Sequence, residues 1–295
     1  MPATSANLGP GFDALGLALT LYDDVVVQVT ESGLRVDVAG EGAESLPRTN
    51  RHLVVKSMRA AFAALGGQPR GLDVICANRI PQSRGLGSSA AAIVAGIVAA
   101  RALVLGGLER LDDLAAFRLA AQIEGHPDNV GACLGGGLSL AWAIPGSPPR
   151  RVALPVHPSL TPVLFVPTTH GSTAKARRML PDTVPHADAA FGAGRAALLV
   201  EALGNRPDLL LDATEDRLHQ PYRAAAMPRS AALVHKLRQA AIPAVISGAG
   251  PTVLALTTAE NAADAIAFSG RWFTPLQLGV ADHGARVLAV DAVDG

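Results

Sequence analysis

The stretch PQSRGLGSSAAAIVAG, residues 81–96, places two glycines and two serines directly before an alanine-rich apolar run. A simple linker needs no such crowding, and an ordinary helix does not begin with so much backbone freedom. Glycine lets the backbone approach a ligand closely, and the unpaired N–H groups at a helix N-terminus attract anions. The stretch therefore predicts a tight turn into a helix over roughly residues 88–105, with the turn as a candidate anion site.

Three explanations of this glycine turn compete. In the first, Gly85 and Gly87 only let a strand turn into a helix. In the second, Gly85, Gly87 and Ala90 match the dinucleotide fingerprint G-x-G-x-x-G/A, but that motif requires a following strand that ends in an acid, and here another helix follows. In the third, the N–H groups of the turn and the hydroxyls of Ser88 and Ser89 hold a phosphate. No Walker A lysine is present, so the helix dipole and a metal ion would have to neutralise the phosphate.

The composition is that of a folded chain with one large or two modest domains. Of 295 residues, 49% are hydrophobic and 17% are charged, which supports a large core. Acidic and basic residues balance at 25 each, so no basic surplus indicates nucleic acid or an anionic membrane as a partner. The apolar run 90–100 is too short for a membrane span, and we expect no signal peptide. Two cysteines in apolar surroundings are typical of a reduced, cytoplasmic protein.

Hydrophobic periodicity predicts a mixture of helices and strands. In the first half, the expected elements are two paired strands over 23–32 and 33–40, helices over 51–67 and 111–125, and strands over 71–81 and 135–142. In the second half, they are a strand over 161–167, helices over 172–181, 189–205 and 259–270, a helix–strand–turn–strand segment over 229–258, and a last strand over 283–292. A loop rich in Gly, Ser and Pro at 145–150 is the predicted domain boundary.

Three separated motifs resemble those of the GHMP small-molecule kinases. PQSRGLGSSAAA, at 81–92, is similar to the second motif of that superfamily, P-x-x-x-G-L-G-S-S-A. PATSANLGPGFDALGLAL, at 2–19, resembles the first motif, and SGAGPTVLAL, at 247–256, resembles the third. The first motif and EGHPDN, at 124–129, narrow the resemblance to the homoserine kinase family.

The resemblance implies an α+β fold with the two-domain GHMP kinase architecture. An N-terminal domain similar to ribosomal protein S5 domain 2, residues 1–147, is expected to hold ATP and Mg²⁺. A ferredoxin-like C-terminal domain, residues 148–295, is expected to supply the third motif and the side facing the substrate carboxylate. The implied reaction is phosphorylation of the L-homoserine hydroxyl by ATP, in threonine biosynthesis. The family usually has a short strand before the first motif, so either that strand is trimmed here or the start codon is assigned late, which leaves the first sheet edge open. The resemblance also allows a homodimer.

The nucleotide side of the implied site centres on the glycine turn. Its predicted residues are Pro81, Arg84, Gly85, Leu86, Gly87, Ser88, Ser89 and Ala90, with Gly248 and Gly250 of the third motif. The N–H groups of Gly248 and Gly250 are expected to face the phosphates, and the same residues are expected to form a hairpin turn. Mg²⁺ needs few protein oxygens, and the resemblance implies Glu124 with Ser88 or Ser89. A zinc site is not expected, because no second His/Cys cluster has suitable spacing.

The substrate side must complement a zwitterion with a terminal hydroxyl, which calls for both guanidinium and carboxylate groups. By resemblance, Arg177 in STAKAR and Arg223 in DRLHQPYR hold the substrate carboxylate. From the residues alone, Arg177 is more typical of a solvated basic helix face. Asn7 and Asp13 are implied to contact the hydroxyl and the ammonium, with turn formation as the alternative. The remaining predicted substrate contacts are His126, Asp128 and Asn129.

Asp128 and Asn129 are also the candidate catalytic residues. Some GHMP kinases pair an aspartate with a lysine of the first motif, but PATSANLGPGFD contains no lysine. We therefore expect Asp128 to act first as a substrate ligand and only second as a base, which the loose transition state of phosphoryl transfer tolerates. Helix capping after Pro127 is the alternative for Asp128. Two other functions stay open: a GHMP kinase acting on L-threonine, shikimate or mevalonate, and a non-catalytic ligand sensor with this fold.

Overall fold

The computed structural model describes residues 1–288. Its strands are β1 (Pro2–Ala6), β2 (Leu15–Tyr22), β3 (Asp24–Thr30), β4 (Gly33–Gly40), β5 (Gly71–Asn78), β6 (Leu138–Trp142), β7 (Arg150–Leu154), β8 (Val163–Pro167), β9 (Ala244–Ile246), β10 (Val253–Ala255) and β11 (Phe273–Gln277). Its α-helices are α1 (Leu53–Ala64), α2 (Ser88–Ala102), α3 (Gly107–Arg110), α4 (Asp113–Glu124), α5 (Asp128–Gly135), α6 (Thr173–Arg178), α7 (His186–Gly204), α8 (Leu210–Ala213), α9 (Gln220–Arg223), α10 (Pro228–Gln239) and α11 (Ala262–Ile266).

The first half of the chain packs two sheets against a layer of helices. The strand orders are β1-β2-β6-β7 and β3-β5-β4. Helices α1 and α2 cross closely at Gly96, where an added Cβ would lie 2.3 Å from the carbonyl oxygen of Val54. This close crossing buries the apolar α2 along most of its length. In residues 1–288, no helix combines the length and hydropathy of a membrane span.

The prediction that residues 23–32 and 33–40 pair with each other is wrong. Strands β3 and β4 flank β5, which pairs antiparallel with β3 and parallel with β4. The connection from β3 to β4 crosses the start of β5 at Gly71, where an added Cβ would lie 2.3 Å from Thr30 Oγ1. The local pattern of two strands and a short turn is that of a hairpin. A strand about 40 residues later in the chain enters between them, which no local pattern shows.

The second half contains an antiparallel sheet with the strand order β11-β8-β10-β9. Numbered within this half, the order is 4-1-3-2, and α7 and α10 precede the β9–β10 hairpin, as expected for a ferredoxin-like domain. A core that includes Phe165, Leu237 and Val253 lies between this sheet and α10. Strand β11 was not predicted from the sequence. It contains Pro275, which an edge strand accommodates because its outward N–H positions need no partner.

The predicted domain boundary after residue 147 falls between two paired strands. Strand β7 pairs with β6, from Leu138 opposite Leu154 to Trp142 opposite Arg150, so that boundary cuts between paired strands. We propose that the chain passes from the first half to the second between β7 and β8. The end of the described chain also returns to the first sheet, where Ala281 donates a backbone hydrogen bond to Ala18 (3.0 Å). Of the strand predicted over 283–292, residues 283–288 are not in a strand and 289–292 lie outside the described residues.

Candidate active site

A cleft of about 510 Å³ lies where the two halves meet, and all three motifs line it. The cleft brings together most of the predicted site residues: Asn7, Asp13, Arg84, Gly85, Gly87, Ser88, Ser89, Glu124, His126, Asp128, Asn129, Arg177, Arg223, Gly248 and Gly250. Three predicted nucleotide contacts do not line it. Leu86 and Ala90 are buried in the hydrophobic core, and Pro81 lies at the start of the loop outside the cleft wall.

The glycine turn before α2 has a backbone shape that requires its glycines. Gly85 and Gly87 have φ angles of +78° and +68°, in the left-handed region that side chains disfavour. A Cβ on Gly87 would lie 1.9 Å from Thr4 Oγ1, and one on Gly85 would lie 2.2 Å from the carbonyl oxygen of Ser247. The first and third motifs therefore pack directly against the turn. This packing supports the structural explanation of the glycines, and the ligand-binding explanation stays a prediction.

The backbone N–H groups of the turn are free to bind an anion. Within residues 1–288, no N–H from Gly85 through Ala90 donates to a protein acceptor. They include the first N–H groups of the 15-residue helix α2, whose dipole adds positive charge at this end. Of these residues, Gly85, Gly87, Ser88 and Ser89 line the cleft, so the turn presents several unpaired donors there, which suits a phosphate chain.

The third motif supports the turn and does not contribute the N–H groups that were expected from it. The Gly248 N–H donates to the carbonyl of Ala6 (3.0 Å), and the Gly250 N–H donates to the carbonyl of Ser247 (2.8 Å). The Ser247 hydroxyl donates to the Gly85 carbonyl at 2.6 Å. Because both glycine N–H groups already have partners, the prediction that they face the phosphates is wrong. The predicted hairpin between β9 and β10 is present.

Arg84 links the loop before the glycine turn to the second half of the chain, and most of its N–H groups are used in doing so. Its Nε donates to the Pro167 carbonyl (2.9 Å), and Nη1 and Nη2 donate to the carbonyls of Gln82 (2.9 Å) and Thr168 (3.2 Å). All three guanidinium nitrogens therefore have backbone acceptors. This arrangement gives Arg84 a structural role, and its predicted nucleotide contact stays a prediction.

EGHPDN forms a compact charged cluster at the cleft. Ser89 Oγ donates to Glu124 Oε1 at 2.5 Å, and His126 lies between Glu124 (Nε2 to Oε1, 4.0 Å) and Asp128 (Nδ1 to Oδ1, 2.9 Å). Burial raises the pKa of the Glu124 carboxyl, and the hydrogen bond to Asp128 raises the pKa of His126. A cation close to Glu124 would offset the cost of burying its charge. Among the described residues, no three His, Cys, Asp or Glu side chains are arranged to hold a metal by themselves.

Asp128 begins α5 and does not cap it. Its Oδ1 accepts from the Asn129 N–H (2.7 Å) as well as from His126, and no protein donor in residues 1–288 contacts its Oδ2. Thr4 Oγ1 donates to Asn129 Oδ1 at 2.8 Å and so orients that amide. The sequence analysis missed Thr4. Its hydroxyl lies in the strand β1 of the first motif, which is fully buried, and a buried hydroxyl needs a hydrogen-bond partner.

The first motif and α6 are joined by an ion pair across the cleft. Arg177 donates to both carboxylate oxygens of Asp13 (2.8 and 2.9 Å). Asn7 holds this turn in place, because its Oδ1 accepts from the Asp13 N–H (2.9 Å) and its Nδ2 donates to the Gly248 carbonyl (2.9 Å). The turn-forming role of Asn7 is therefore evident, and its contact with a substrate stays a prediction.

Arg223 is a buried guanidinium without a carboxylate partner. It is 3% exposed and lines the cleft. Its Nε donates to the Ala176 carbonyl (3.1 Å), Nη1 donates to His219 Nδ1 (3.3 Å), and no salt bridge within residues 1–288 includes it. Burial, with Arg177 nearby, lowers its pKa. A buried cation of this kind is complemented by an anionic ligand.

His219 positions Arg223 and was missed in the sequence. Its Nε2 donates to the Gly9 carbonyl at 2.9 Å, which leaves Nδ1 to accept from Arg223. Burial lowers the pKa of His219, which favours this neutral form. Phe12 stacks on the His219 ring with the centroids 4.9 Å apart. The signal was the spacing of four residues between the histidine and the arginine in DRLHQPYR, which places both on one helical face.

A second missed residue, His52, lies at the far end of the cleft. It is 3% exposed, precedes α1, and neither ring nitrogen has a hydrogen-bond partner in the described structure. Burial lowers its pKa, so the ring is neutral. Small and aliphatic side chains also line the cleft: Leu46, Leu53, Val54, Ala91, Ala92 and Ala95. An apolar pocket with one unpaired polar ring is well suited to an aromatic base.

Comparison with known proteins identifies relatives over nearly the whole chain. The family model "GHMP kinases N terminal domain" matches residues 52–137, and "GHMP kinases C terminal" matches residues 190–271. The homoserine kinase of Streptomyces coelicolor is 62% identical over 288 residues, covering 98% of this chain and 93% of that protein. The crystal structure of homoserine kinase from Cytophaga hutchinsonii is 26% identical, with a TM-score of 0.82, over 96% of this chain and 94% of that one. A putative homoserine kinase from Listeria monocytogenes is 28% identical, with a TM-score of 0.77, over 98% of both chains.

Proposed function

The chain belongs to the homoserine kinase family of the GHMP kinases, and we propose that it transfers the γ-phosphoryl group of ATP to the hydroxyl of L-homoserine. The product is O-phospho-L-homoserine, an intermediate of threonine biosynthesis. The observation that carries this choice of substrate is the unpaired, buried Arg223 beside the Asp13–Arg177 ion pair. Together these three side chains complement the carboxylate and the ammonium of a zwitterion.

On the nucleotide side, the free N–H groups of Gly85, Gly87, Ser88 and Ser89 hold the phosphates of ATP, and the base lies in the pocket next to His52. This arrangement needs no P-loop lysine, because the N–H row and the α2 dipole supply the positive potential. The residues also fit Mg²⁺, for which Glu124 with Ser88 or Ser89 provides the oxygen ligands. When bound, the ion neutralises charge on the phosphates.

On the acceptor side, the substrate carboxylate binds Arg223 and Arg177, and its ammonium binds Asp13. Both guanidinium groups face the ring of Phe12, with Cζ 5.1 Å and 5.8 Å from its centroid. The substrate hydroxyl then lies toward Asp128 and Asn129, which border the phosphate turn. Rate enhancement follows from alignment of this hydroxyl with the γ-phosphorus and from charge neutralisation, as phosphoryl transfer requires.

The Asp128→Asn variant distinguishes a substrate ligand from a base. We expect KM for homoserine to rise about 10- to 100-fold while kcat falls less than 10-fold, because binding is weakened and no proton acceptor essential to the chemistry is lost. Initial rates of ADP release over a range of homoserine concentrations measure both. Asp112→Asn, which removes the charge of the α4 cap far from the cleft, is the matched control. A fall in kcat of about 1,000-fold with unchanged KM would identify Asp128 as the base.

The Glu124→Gln variant tests the magnesium ligand. The half-saturating Mg²⁺ concentration is expected to rise about tenfold, because the site loses its charged oxygen but keeps a partner for Ser89. Rates at fixed ATP over a range of total Mg²⁺ provide the measurement, and Glu109→Gln, on the exposed helix α3, is the control. An unchanged Mg²⁺ dependence would remove Glu124 from the site.

The His52→Ala variant tests the base pocket. We expect KM for ATP to rise about 5- to 10-fold, since one buried hydrogen bond to the base is lost, with KM for homoserine unchanged. His235→Ala, on the exposed side of α10, is the matched control. Equal ATP dependence in wild type and variant would place the base elsewhere.

The acceptor is tested by ADP release with Mg·ATP against homoserine, threonine, shikimate and mevalonate. The proposed function requires turnover with homoserine to exceed the others in kcat/KM. Preference for another alcohol would identify a different GHMP kinase, and tight ATP binding without turnover would identify a sensor. The cytoplasmic location and the homodimer expected from the sequence stay predictions.

A further inference from the structure

A second cavity lies behind one wall of the active-site cleft, between α6, the start of α10 and β11. Its volume is also about 510 Å³, which is in the range of small-molecule sites. Residues 167–172 and 226–230 line two of its sides, and Trp272 with Phe273 lines a third. The proposed reaction gives this cavity no role.

The lining of the second cavity carries positive charge and no carboxylate. His170, Lys175 and Arg229 line it, whereas no Asp or Glu does. Within residues 1–288, neither Lys175 nor Arg229 takes part in a salt bridge. Acidic and basic residues are equal in number over the whole chain. Two unpaired cations around the second cavity are therefore a local excess of positive charge, which attracts anions.

Stacking on Trp272 orients one of these cations. The Arg229 Cζ lies 3.8 Å from the centre of the indole, and the Arg271 Cζ lies 4.7 Å from it. A guanidinium held on an aromatic face loses less conformational freedom when it binds a ligand. Met227 and Phe273 add apolar surface to the same cavity, so the site suits an anion that has a carbon skeleton.

The wall between the cavity and the cleft is tied to the phosphate turn. Gly171 and Ala249 line both the active-site cleft and the second cavity. The Gly171 N–H donates to the Ser83 carbonyl (2.7 Å), and Arg84 Nε donates to the Pro167 carbonyl (2.9 Å). Ser83 and Arg84 directly precede the glycine turn. A ligand that shifts residues 167–172 therefore acts on the phosphate turn through these two hydrogen bonds.

We propose that the second cavity is a regulatory site for a small organic anion with at least two negative charges, and that its occupancy changes the affinity of the cleft for nucleotide. Phosphate monoesters and dicarboxylates share this chemistry. Lys175 and Arg229 bind the charged groups, and Met227 with Phe273 contacts the carbon skeleton. Because coupling between sites is reciprocal, bound nucleotide must change the affinity of the second cavity by the same factor.

The test uses Trp272 as the reporter in a Trp142→Phe background, which leaves one tryptophan in the chain. Glycerol 2-phosphate and succinate are titrated separately, each with saturating Mg·ADP and without nucleotide, against sodium chloride at equal ionic strength. We expect a saturable emission change with a Kd below about 1 mM for at least one probe, weakened about tenfold in Arg229→Ala and in Lys175→Ala, as for loss of one charge-assisted hydrogen bond. The factor by which the probe changes the Kd of Mg·ADP should equal the factor by which Mg·ADP changes the Kd of the probe.

Arg178→Ala is the matched control, because it removes an exposed charge from α6 that lines neither hollow. A response that does not saturate, or that Arg178→Ala weakens as much as Arg229→Ala, overturns the site. If the apparent Kd of the probe keeps rising in proportion to Mg·ADP without levelling off, the two compete at the phosphate turn and the site is overturned, because coupling between separate sites reaches a limit once nucleotide is saturating. Calorimetric titration of the same variants decides the case if the emission of Trp272 does not change, and absence of binding heat then refutes the proposal. These measurements need no acceptor, so they are independent of the choice of homoserine.

Discussion

The Arg223→Gln variant is expected to lose most of its affinity for homoserine while the ligand-free protein keeps its stability. Arg223 is buried and has no carboxylate partner within salt-bridge distance in residues 1–288, so until an anion arrives its charge is compensated only at longer range, by Asp13 and Asp216. Removing one partner of a buried, hydrogen-bonded charge pair costs about 2–5 kcal/mol, roughly 30- to 5,000-fold in Kd. We therefore expect KM for homoserine to rise by about 100-fold or more. Removing the uncompensated charge offsets the lost hydrogen bonds to Ala176 and His219, so the free energy of unfolding should change by less than about 1 kcal/mol.

Initial-rate kinetics and thermal unfolding without ligand measure the two halves of this prediction. Arg178→Gln, on α6 and outside the cleft, is the control and should leave KM for both substrates unchanged. A large loss of stability in Arg223→Gln would show that the guanidinium is structural. An unchanged KM for homoserine, with intact ATP binding, would refute its role in carboxylate recognition.

The Gly87→Ala variant is expected to lose nucleotide binding. The substituted residue keeps an unfavourable φ of +68°, and its Cβ collides with Thr4 Oγ1 at 1.9 Å. The left-handed conformation costs alanine about 1–2 kcal/mol, and relief of the collision displaces the N–H row of the turn. Since misplacement by about 1 Å costs roughly 100-fold in rate, kcat/KM for ATP should fall by at least that factor. ATP titrations at saturating homoserine give this value.

Two further variants show whether the effect comes from this collision. In a Thr4→Ala background the clash with Oγ1 is absent, so Gly87→Ala should cost less there than in the wild type, and equal costs would refute the steric explanation. Gly194→Ala is the matched control, because Gly194 lies inside α7, is exposed and has open space around its Cα. It should stabilise the protein by about 0.5–1 kcal/mol and leave activity unchanged.

Much of the architecture could be predicted because local patterns carry it. The apolar periodicity of residues 51–67 and 111–125 corresponds to α1 and α4, and Asp112 caps α4 through the Ala115 N–H (2.7 Å). The glycines of residues 81–96 marked a turn that only glycine tolerates, at the N-terminus of α2. The resemblance of the three motifs to those of the GHMP kinases also placed their residues in one cleft.

Other features needed the tertiary structure, because they depend on partners far apart in the chain. β5 separates β3 from β4, and β7 completes the first sheet. The N–H groups of Gly248 and Gly250, expected to face phosphate, have protein acceptors, and Arg84 binds backbone carbonyls of both halves. These outcomes depend on which acceptor lies nearby after folding, and residue type does not encode that.

The amino-acid sequence by itself determined the family and the glycine turn, because both depend on residue type and short-range spacing, and the resemblance to the family indicated most of the predicted side chains that line the cleft. Only the tertiary structure decided which of those groups are free to bind a ligand. Thr4 meets Asn129 across 125 residues and Asn7 meets Gly248 across 241, whereas Arg223 lacks a carboxylate partner within the described chain. A hydrogen bond or charge is available for binding only where folding has not already satisfied it, and that condition is a property of the packed molecule.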